Sequence, residues 1–370
     1  MNHYFDNAAT SFPKPKEVSL YMSDYIAKQG GTYGRSAYPR AFEASVKVES
    51  LREELMSFLG TKNSSQIFFT FNATVGLNTL LFGMDLHDCH ILTSPLEHNA
   101  TMRPLSKLAK EKNITFDYLP HGSDGKIDAS KIDSVLKSST RLIIINHQSN
   151  INGVIQPVQK IKAASGRIPV LLDLAQSAGH CDIELDNWDI DFAAFTGHKG
   201  LLGPTGTGGI YIKDPDKIEP LIYGGTGSNS DSFEMPSFIP DKYEAGTPNV
   251  AGLTGLLGAL ENRPVPLHTH EDFIELLDKI SSIPQLTIFK AKNSNNQGPV
   301  FSINHCDYSC SEMAQILYDK YMIETRSGLH CAPLAHKTLG TFPSGTVRFA
   351  LSVYHTKDDF DYLLSALRSL

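Results

Sequence analysis

Several stretches of the sequence carry side chains that could do chemistry, and one of them is built around a lysine. Lys199 lies in FAAFTGHKGLLGPTG, where glycines and small residues surround it. A lysine in a confined place has a lowered amine pKa and stays nucleophilic, as a Schiff-base lysine must. The string lacks the glycine spacing of a nucleotide phosphate loop. An exposed loop lysine remains the alternative for a lysine taken alone.

A carboxylate stands at the end of another apolar stretch. Asp173 closes the run PVLLDL, which is a costly position for a carboxylate without a cationic partner. A protonated pyridine nitrogen would be such a partner, because opposite charges ~4 Å apart gain on the order of 4 kcal/mol at an effective dielectric constant of about 20. That gain would keep a mildly basic ring nitrogen protonated at neutral pH. An ordinary helix N-cap is the alternative.

Two further segments favour the binding of a phosphate group and a ring. In FTFNATVGLNTL a strand-like run gives way to a helical pattern through Asn72, Ala73 and Thr74. Free backbone N–H groups and a hydroxyl at a helix start can hold phosphate, although helix capping alone would also explain them. His98 follows the run HILTSP in a similar place, where simple polar packing is the alternative.

Cys331, in RSGLHCAPL, could be a nucleophile, a metal ligand or a small hydrophobic residue. The chain has 5 cysteines, an odd number and mostly far apart, which argues against a disulfide framework and favours a reducing compartment. CDYSC has no second pair at zinc spacing, and the HTH triplet that begins at His268 lies in a polar stretch. We therefore predict no metal site.

These residues need a scaffold, and the pattern between residues 65 and 212 predicts an α/β sheet. Short apolar runs such as QIFFTF, RLIIIN and IPVLLDL alternate with longer helical patterns, which indicates mostly parallel strands with connecting helices. Ligands of such sheets bind at the carboxyl ends of the strands. The residues that follow the runs are Thr74, His98, Asn150, Asp173, Gln176, His198 and Lys199.

The length of 370 residues suits a large domain with a smaller companion. We predict a large domain over 15–262 and a small C-terminal α/β domain over 263–370, joined by the N-terminal segment 1–14. Residues 213–250 have the composition of extended loops. ENRPVPLHTHED marks the boundary, and shorter helix and strand patterns follow it.

Charge and hydropathy exclude several classes of function. The net charge is -7 and basic residues are scattered, so nucleic acid is not an expected partner. No apolar run approaches the ~20 residues of a membrane span, and the N-terminus has no signal-peptide core, so no membrane partner is expected. We expect a cytoplasmic protein.

The order of these residues is the order in which fold-type I enzymes of pyridoxal phosphate present their site. The segments YFDNAATSFPKP, SPLEHNA, DLAQSAGH, TGHKGLLGPTG, YEAGTPN and RSGLHCAP closely resemble class V aminotransferases, specifically the cysteine desulfurases and selenocysteine lyases. The resemblance implies the α/β fold of the fold-type I transferases: a mostly parallel seven-stranded sheet in the large domain and a smaller α/β C-terminal domain.

The resemblance also implies pyridoxal 5'-phosphate as cofactor and a role for each residue. Lys199 would bond the cofactor, Asp173 would pair with its ring nitrogen, and Gln176 would donate to its phenolic oxygen. His98 would stack on the ring, with Asn150 close to the ring oxygen and the substrate. The phosphate would be held by Ala73, Thr74, Thr196 and His198, assisted by Gly246 and Thr247 from the other subunit of a homodimer.

The implied reaction converts L-cysteine to L-alanine. Arg348 in GTVRFALS would bind the substrate carboxylate, and Arg35 would line the entrance to this substrate site. Lys199 would move the Cα proton, and Cys331 would take the sulfur as a persulfide and pass it to an acceptor protein. Neighbours such as His330 and Arg326 are expected to favour the Cys331 thiolate.

Three alternatives stay open at this point. L-Selenocysteine could be the substrate, the chain could be a plain aminotransferase in which Cys331 only packs, or it could be a non-catalytic sulfur relay. The sequence also departs from the family pattern. Leu329 stands where many relatives have a second histidine, Ala73 replaces a hydroxyl residue, and 263–300 is short.

Overall fold

The computed structural model describes residues 3–34 and 36–370 and contains a large and a small β-sheet, each flanked by helices. The large sheet has seven strands in the order β1-β7-β6-β5-β4-β2-β3. Their bounds are β1 Ile67–Thr70, β2 His90–Thr93, β3 Thr115–Tyr118, β4 Thr140–Asn146, β5 Val170–Asp173, β6 Phe192–Thr196 and β7 Gly208–Ile212.

Most of the large sheet is parallel, as predicted. Strands β3, β2, β4, β5 and β6 run parallel to one another, whereas β7 is antiparallel to both β6 and β1. The connecting and flanking helices are α1 Lys16–Asp24, α2 Pro39–Phe58, α3 Ala73–Gly83, α4 Asn99–Glu111, α5 Val158–Ser165 and α6 Val250–Glu261. The fold is therefore the predicted α/β class.

The central strands β4, β5 and β6 are largely apolar because both faces of the sheet are covered there. In β4, Leu142 and Ile144 pack into the cluster on the α3 and α4 side. Ile143 and Ile145 alternate with them and join the cluster that includes residues of α2 and α6 on the other face. This double burial produces the continuous apolar runs that made the strands recognisable in the sequence.

The small sheet is antiparallel and has the order β10-β11-β9-β8. Helices α7 and α10 begin in capping boxes at Thr269 and Thr356. The bounds of these elements are α7 His270–Ser281, β8 Leu286–Phe289, β9 Val300–His305, α8 Cys310–Tyr321, β10 Arg326–Gly328, α9 Pro333–Thr338, β11 Thr346–Ala350 and α10 Lys357–Arg368.

Residues near the N-terminus pack against the elements of the small sheet. Phe5 is fully buried in the cluster formed with α7, α8 and α10, and Asp6 forms a bridge to Ala350 at the end of β11. The predicted boundary at 262/263 falls between α6 and α7, and the division into domains 15–262 and 263–370 stays a prediction. No helix within the described ranges is both long and apolar enough to cross a bilayer.

Candidate active site

One pocket collects nearly all the residues that the sequence predicted for cofactor binding. It lies at the carboxyl ends of β4, β5 and β6, next to the N-termini of α3 and α4. The lining residues are Asn72, Ala73, Thr74, His98, Ala100, Asn146, Asn150, Asp173, Ala175, Gln176, Thr196, His198 and Lys199. Residues from five separate stretches of sequence therefore meet at a single place.

Asp173 is the last residue of β5 and is buried. Its Oδ1 accepts a hydrogen bond from the backbone N–H of Ala175 at 2.8 Å. Burial raises the pKa of Asp173, while that hydrogen bond and the positive charge of Lys199 oppose the rise. The carboxylate therefore sits where an additional buried cation would stabilise its ionised form.

Lys199 lies in the tight turn after β6, and its amine is enclosed by the protein. Burial lowers the pKa of Lys199 to about 8, with Asp173 opposing the change and Arg348 reinforcing it. The turn is held against its neighbour by glycines, since a Cβ on Gly179 would lie 2.0 Å from the carbonyl oxygen of Gly200. A substantial fraction of the amine is thus neutral and nucleophilic near neutral pH.

The histidines of the pocket are neutral at physiological pH. His98 is the N-cap of α4, and its Nδ1 accepts from the backbone N–H of Ala100 at 3.0 Å. Burial and the nearby charge of Lys199 lower the pKa of His98 to about 3, and burial lowers the pKa of His198 to about 4. An uncharged imidazole can stack on a planar ring without repelling a cationic group in it.

The pocket contains buried polar atoms that lack hydrogen-bond partners. If pyridoxal phosphate fits the pocket, its polar groups should be able to supply those partners. Asn150 Oδ1, Gln176 Oε1 and His198 Nδ1 have no hydrogen-bond partner among the described residues. Such atoms are costly unless a ligand or water satisfies them. Gln176 Nε2 donates to the Ala8 carbonyl at 2.9 Å and keeps its second N–H for another acceptor. The residues present therefore suit the cofactor.

The N-terminus of α3 lies at the pocket and can bind a phosphate group, as expected from the sequence. Asn72 Oδ1 accepts from the backbone N–H of Val75 at 2.9 Å, so this helix start is capped. Ala73 and Thr74 occupy the first turn, and Thr196 is at the end of the neighbouring β6. Capping and phosphate binding were alternatives in the sequence, but one helix N-terminus can provide both.

Arg348 lies on β11 with its side chain only 2% exposed. Its Nη2 forms an ion pair with Asp6 Oδ1 at 2.6 Å, and its Nη1 donates to the Asn150 carbonyl at 3.3 Å. Arg326 is its register partner on β10. The guanidinium is thus adjacent to the pocket through Asn150, although it is not part of the lining.

Cys331 is exposed at the edge of the same site. It follows His330, and both residues have positive φ, 49° and 56°. The Cys331 carbonyl accepts from the backbone N–H of Asn99 at 2.8 Å, which ties the loop to the start of α4 next to His98. A surface groove lined by Thr74, His98 and Cys331 connects the thiol to the pocket.

His330, which was expected to favour the Cys331 thiolate, carries no positive charge near neutral pH. Burial and the charge of Arg348 lower the pKa of His330 to about 3, so its imidazole is neutral near pH 7. Its Nε2 contacts the Arg326 carbonyl at 3.0 Å, and its Nδ1 lies 3.4 Å from His336 Nε2. His330 therefore does not favour the Cys331 thiolate through a positive charge.

Some predicted residues are not brought to the pocket within one chain. Gly246 and Thr247 are exposed and line a separate apolar depression with Phe71, Leu221 and Ile222. This is compatible with a role in a second copy of the chain, which stays a prediction. Arg35 lies outside the described residues.

Several residues of the site were not predicted from the sequence. Asp6 and Ala8 were quoted within YFDNAATSFPKP without a role, and Asn146 and Glu97 were passed over inside their motifs. Glu97 Oε1 accepts from Ser94 Oγ at 2.7 Å and from the backbone N–H of Asn146 at 2.8 Å. The signal for Glu97 was a charged residue between an apolar run and His98.

Comparisons with known proteins agree with this architecture. The chain matches the family described as aminotransferase class-V over residues 3–363. A probable cysteine desulfurase of Methanothermobacter thermautotrophicus is 30% identical, covering 100% of this chain and 95% of that protein. A probable cysteine desulfurase of Staphylococcus epidermidis is 31% identical, covering 99% of this chain and 91% of that protein.

Solved structures give the same result. The apo cysteine desulfurase of Thermococcus onnurineus superposes with a TM-score of 0.90 at 29% identity, covering 99% of this chain and 94% of that one. A cysteine desulfurase of Escherichia coli gives a TM-score of 0.86 at 27% identity with the same coverage.

The chain belongs to the class-V aminotransferase family, whose members depend on pyridoxal phosphate. Within that family, the relatives and solved structures described above carry the name cysteine desulfurase or probable cysteine desulfurase. The fold and the cofactor that the resemblance implied are thereby confirmed.

Proposed function

We propose that the protein is a cysteine desulfurase that converts L-cysteine to L-alanine and takes the sulfur onto Cys331 as a persulfide. The observation that carries the proposal is the groove that joins His98 of the cofactor pocket to the exposed Cys331 thiol. A plain aminotransferase has no use for an accessible thiol at the mouth of its site. The names of the relatives support the same activity.

The pocket residues would hold the cofactor in one orientation. Pyridoxal phosphate, when bound, supplies an electron sink for the substrate's Cα substituents. Asp173 would fix the ring nitrogen and Gln176 the phenolic oxygen, while neutral His98 would cover the ring face. Phosphate contacts would come from the first turn of α3 at Ala73 and Thr74, together with Thr196 and His198.

Lys199 would both anchor the cofactor and move a proton. Its lowered pKa, about 8, makes the amine able to release and accept protons near neutral pH. Its location in the same pocket as Asp173 and His198 supports a role in carrying the substrate Cα proton. Arg348 and Asn150 would orient the substrate carboxylate, so that the thiol group points toward the groove.

Cys331 would perform the sulfur transfer as a thiolate. Its sulfur attacks the substrate sulfur, so an S–S bond forms while the substrate C–S bond breaks and its electron pair stays with the carbon fragment. Protonation of that fragment gives L-alanine. The exposed persulfide is then accessible to a thiol of an acceptor protein.

The assembly and setting are also proposals. A homodimer would bring Gly246 and Thr247 of the partner chain to the phosphate end of the pocket, and Arg35 would lie at the substrate entrance. A cytoplasmic location suits the 5 cysteines, all of which are free.

The direct test incubates the cofactor-loaded enzyme with L-cysteine and a reductant and measures alanine and sulfide together. We expect equal amounts from the wild type and none above background from Lys199→Ala. Alanine without sulfide, or pyruvate in place of alanine, would overturn the proposal. A keto-acid product that depends on an added keto-acid acceptor would instead identify an aminotransferase.

L-Selenocysteine distinguishes the remaining substrate alternative. A selenol leaves more readily than a thiol, so Cys331 matters less for its release. We expect Cys331→Ala to lower alanine formation from L-cysteine by roughly 100-fold or more, as loss of a covalent nucleophile does. Much of the alanine formation from L-selenocysteine should survive in the same variant. Equal losses with both substrates would contradict this division of labour.

A further inference from the structure

Asp6 already provides a carboxylate partner for the arginine that is proposed to bind the substrate carboxylate. The guanidinium of Arg348 is buried, and its Nη2 is 2.6 Å from Asp6 Oδ1. Nη1 reaches the Asn150 carbonyl only at 3.3 Å, and Nε has no hydrogen-bond partner among the described residues. The guanidinium therefore has one strong anionic contact and keeps donors for a second carboxylate.

Asp6 is held in place by the backbone of the small sheet. The Ala350 N–H donates to the Phe5 carbonyl at 2.7 Å, and the Phe5 N–H donates to the Glu324 carbonyl at 2.9 Å. Asn7 Nδ2 donates to the Ala350 carbonyl at 3.0 Å. Residues on both sides of Asp6 are thus fixed to the sheet that carries Arg348, so the carboxylate cannot easily swing away.

The same N-terminal segment is also fastened to the cofactor pocket. Ala8 accepts the hydrogen bond from Gln176, and the Ser11 N–H donates to the His198 carbonyl at 3.0 Å. Asp6 therefore lies on a short stretch of chain whose ends are anchored to the pocket and to the small sheet. This placement suits a residue that orients a binding group and does not suit a mobile surface carboxylate.

The Asp6 carboxylate has two physical effects on Arg348. As a hydrogen-bond acceptor it fixes the direction of the guanidinium fork, which favours binding of a second carboxylate in one geometry. As a negative charge it partly neutralises the arginine and repels an incoming carboxylate. The first effect strengthens substrate binding and the second weakens it.

We propose that Asp6 is a positioning residue that orients Arg348 and holds down the affinity of the site for an α-carboxylate, so that the product amino acid can leave. The inference rests on the carboxylate-binding role proposed for Arg348. It assigns a role in substrate and product binding to the N-terminal segment.

Two substitutions separate the effects because one removes only the charge of Asp6 and the other removes both its charge and its acceptor oxygen. Asp6→Asn keeps an oxygen acceptor for Nη2 and removes the charge, so the dissociation constant of L-alanine should fall by roughly five- to tenfold. Asp6→Ala removes both the acceptor and the charge, so Arg348 loses its orientation and L-alanine should bind more weakly than to Asp6→Asn, and no better than to the wild type.

The experiment titrates the cofactor-loaded wild type and variants with L-alanine by calorimetry and follows the cofactor absorbance in parallel. Cysteamine, which is L-cysteine without its carboxylate, is the second probe and should bind all proteins equally. Asp24→Asn is the matched control, because Asp24, the last residue of α1, forms an exposed ion pair with Lys28. Steady-state kinetics with L-cysteine should show a lower KM for Asp6→Asn without a higher kcat.

Asp6→Asn alone tests the proposed role of Asp6, even if Asp6→Ala does not fold. A change below about twofold in L-alanine affinity for Asp6→Asn, weaker binding, or an equal change for cysteamine would overturn the inference. Failure of the proposed function looks different. The wild type would then release no sulfide from L-cysteine, while the carboxylate-specific effect of Asp6→Asn on L-alanine binding would persist.

Discussion

At the scale of single residues, the site relies on neutral bases and a small number of fixed cations. Burial holds His98, His198 and His330 uncharged near neutral pH, with pKa values of about 3 to 4. Positive charge comes from the buried Arg348 and from Lys199, whose own charge is partial. The positive charge of the site therefore comes from the residues that are proposed to bind the substrate carboxylate and to transfer the proton, and not from the histidines.

The lowered pKa of Lys199 predicts how the cofactor-free protein takes up pyridoxal phosphate. Only the neutral amine attacks an aldehyde, so the rate of reconstitution should rise with pH and level off above the Lys199 pKa of about 8. Stopped-flow absorbance measures this rate. A rate that keeps rising in proportion to hydroxide up to about pH 10, as for an ordinary lysine, would contradict the buried position of the amine.

The residue types of the site were predictable, but their partners were not. Lys199, Asp173 and His98 were recognisable because each follows an apolar run, and parallel strands bring such positions together. The Arg348–Asp6 pair joins residues 342 positions apart, and no local pattern reports such a contact. His330 was misjudged because its charge depends on burial, which the residue types around it do not reveal.

At the scale of secondary-structure elements, the end of β2 and the start of α4 place a second buried carboxylate beside the cofactor pocket. Glu97 is fully buried. Burial, and secondarily the charge of Asp173, raises the pKa of Glu97 to about 7, well above the usual range of a glutamate side chain. Two buried carboxylates near each other cannot both ionise cheaply, so the charge of Asp173 favours the protonated form of Glu97.

This carboxylate predicts a pH dependence of stability. The unfolded chain releases the Glu97 proton near 4.5 and the folded chain only near about 7, so the stability that the protonated acid provides is lost as the pH rises between these values. Relative to the wild type, the free energy of unfolding of Glu97→Gln should therefore rise by on the order of 3 kcal/mol as the pH increases from about 4.5 to 7.5.

Urea denaturation of the cofactor-free proteins across that range measures the difference. Glu111→Gln, which changes an exposed glutamate on α4, is the control. A difference between Glu97→Gln and the wild type that does not vary with pH would show that Glu97 titrates as an ordinary surface acid.

Elements with a strong apolar pattern were predicted and weakly patterned ones were not. Strands β4, β5 and β6 are continuous apolar runs because both faces are buried. The short β10 consists of Arg326, Ser327 and Gly328, which carry no strand preference and pair only because β11 lies beside them. Tertiary context forms β10, and with it the base of the Cys331 loop.

At the scale of the whole molecule, the exposed depression around Gly246 and Thr247 has the character of a contact between chains. It is lined by apolar side chains of which Phe71 is 54% and Ile222 is 49% exposed. Exposed apolar surface of this kind is typical of interfaces. The proposed dimer would cover it and complete the phosphate end of each pocket.

Mixing two inactive variants tests this arrangement. Lys199→Ala removes the lysine, and Thr247→Trp should block the pocket of the partner chain while disturbing its own chain little, because Thr247 is exposed. After subunit exchange, each mixed dimer would contain one intact site, giving about a quarter of wild-type activity from an equal mixture. No recovery, or a particle mass equal to the single chain's 40.7 kDa, would contradict the shared site.

The central claim, that Cys331 accepts the substrate sulfur, is tested most directly by mass spectrometry of the cofactor-loaded enzyme after brief exposure to L-cysteine without reductant. The groove that connects the thiol to the pocket predicts one added sulfur atom, mapped to the peptide that contains Cys331 and matched by an equal amount of alanine. Alanine formed in that amount with the added sulfur on another cysteine, or on none, would contradict the account.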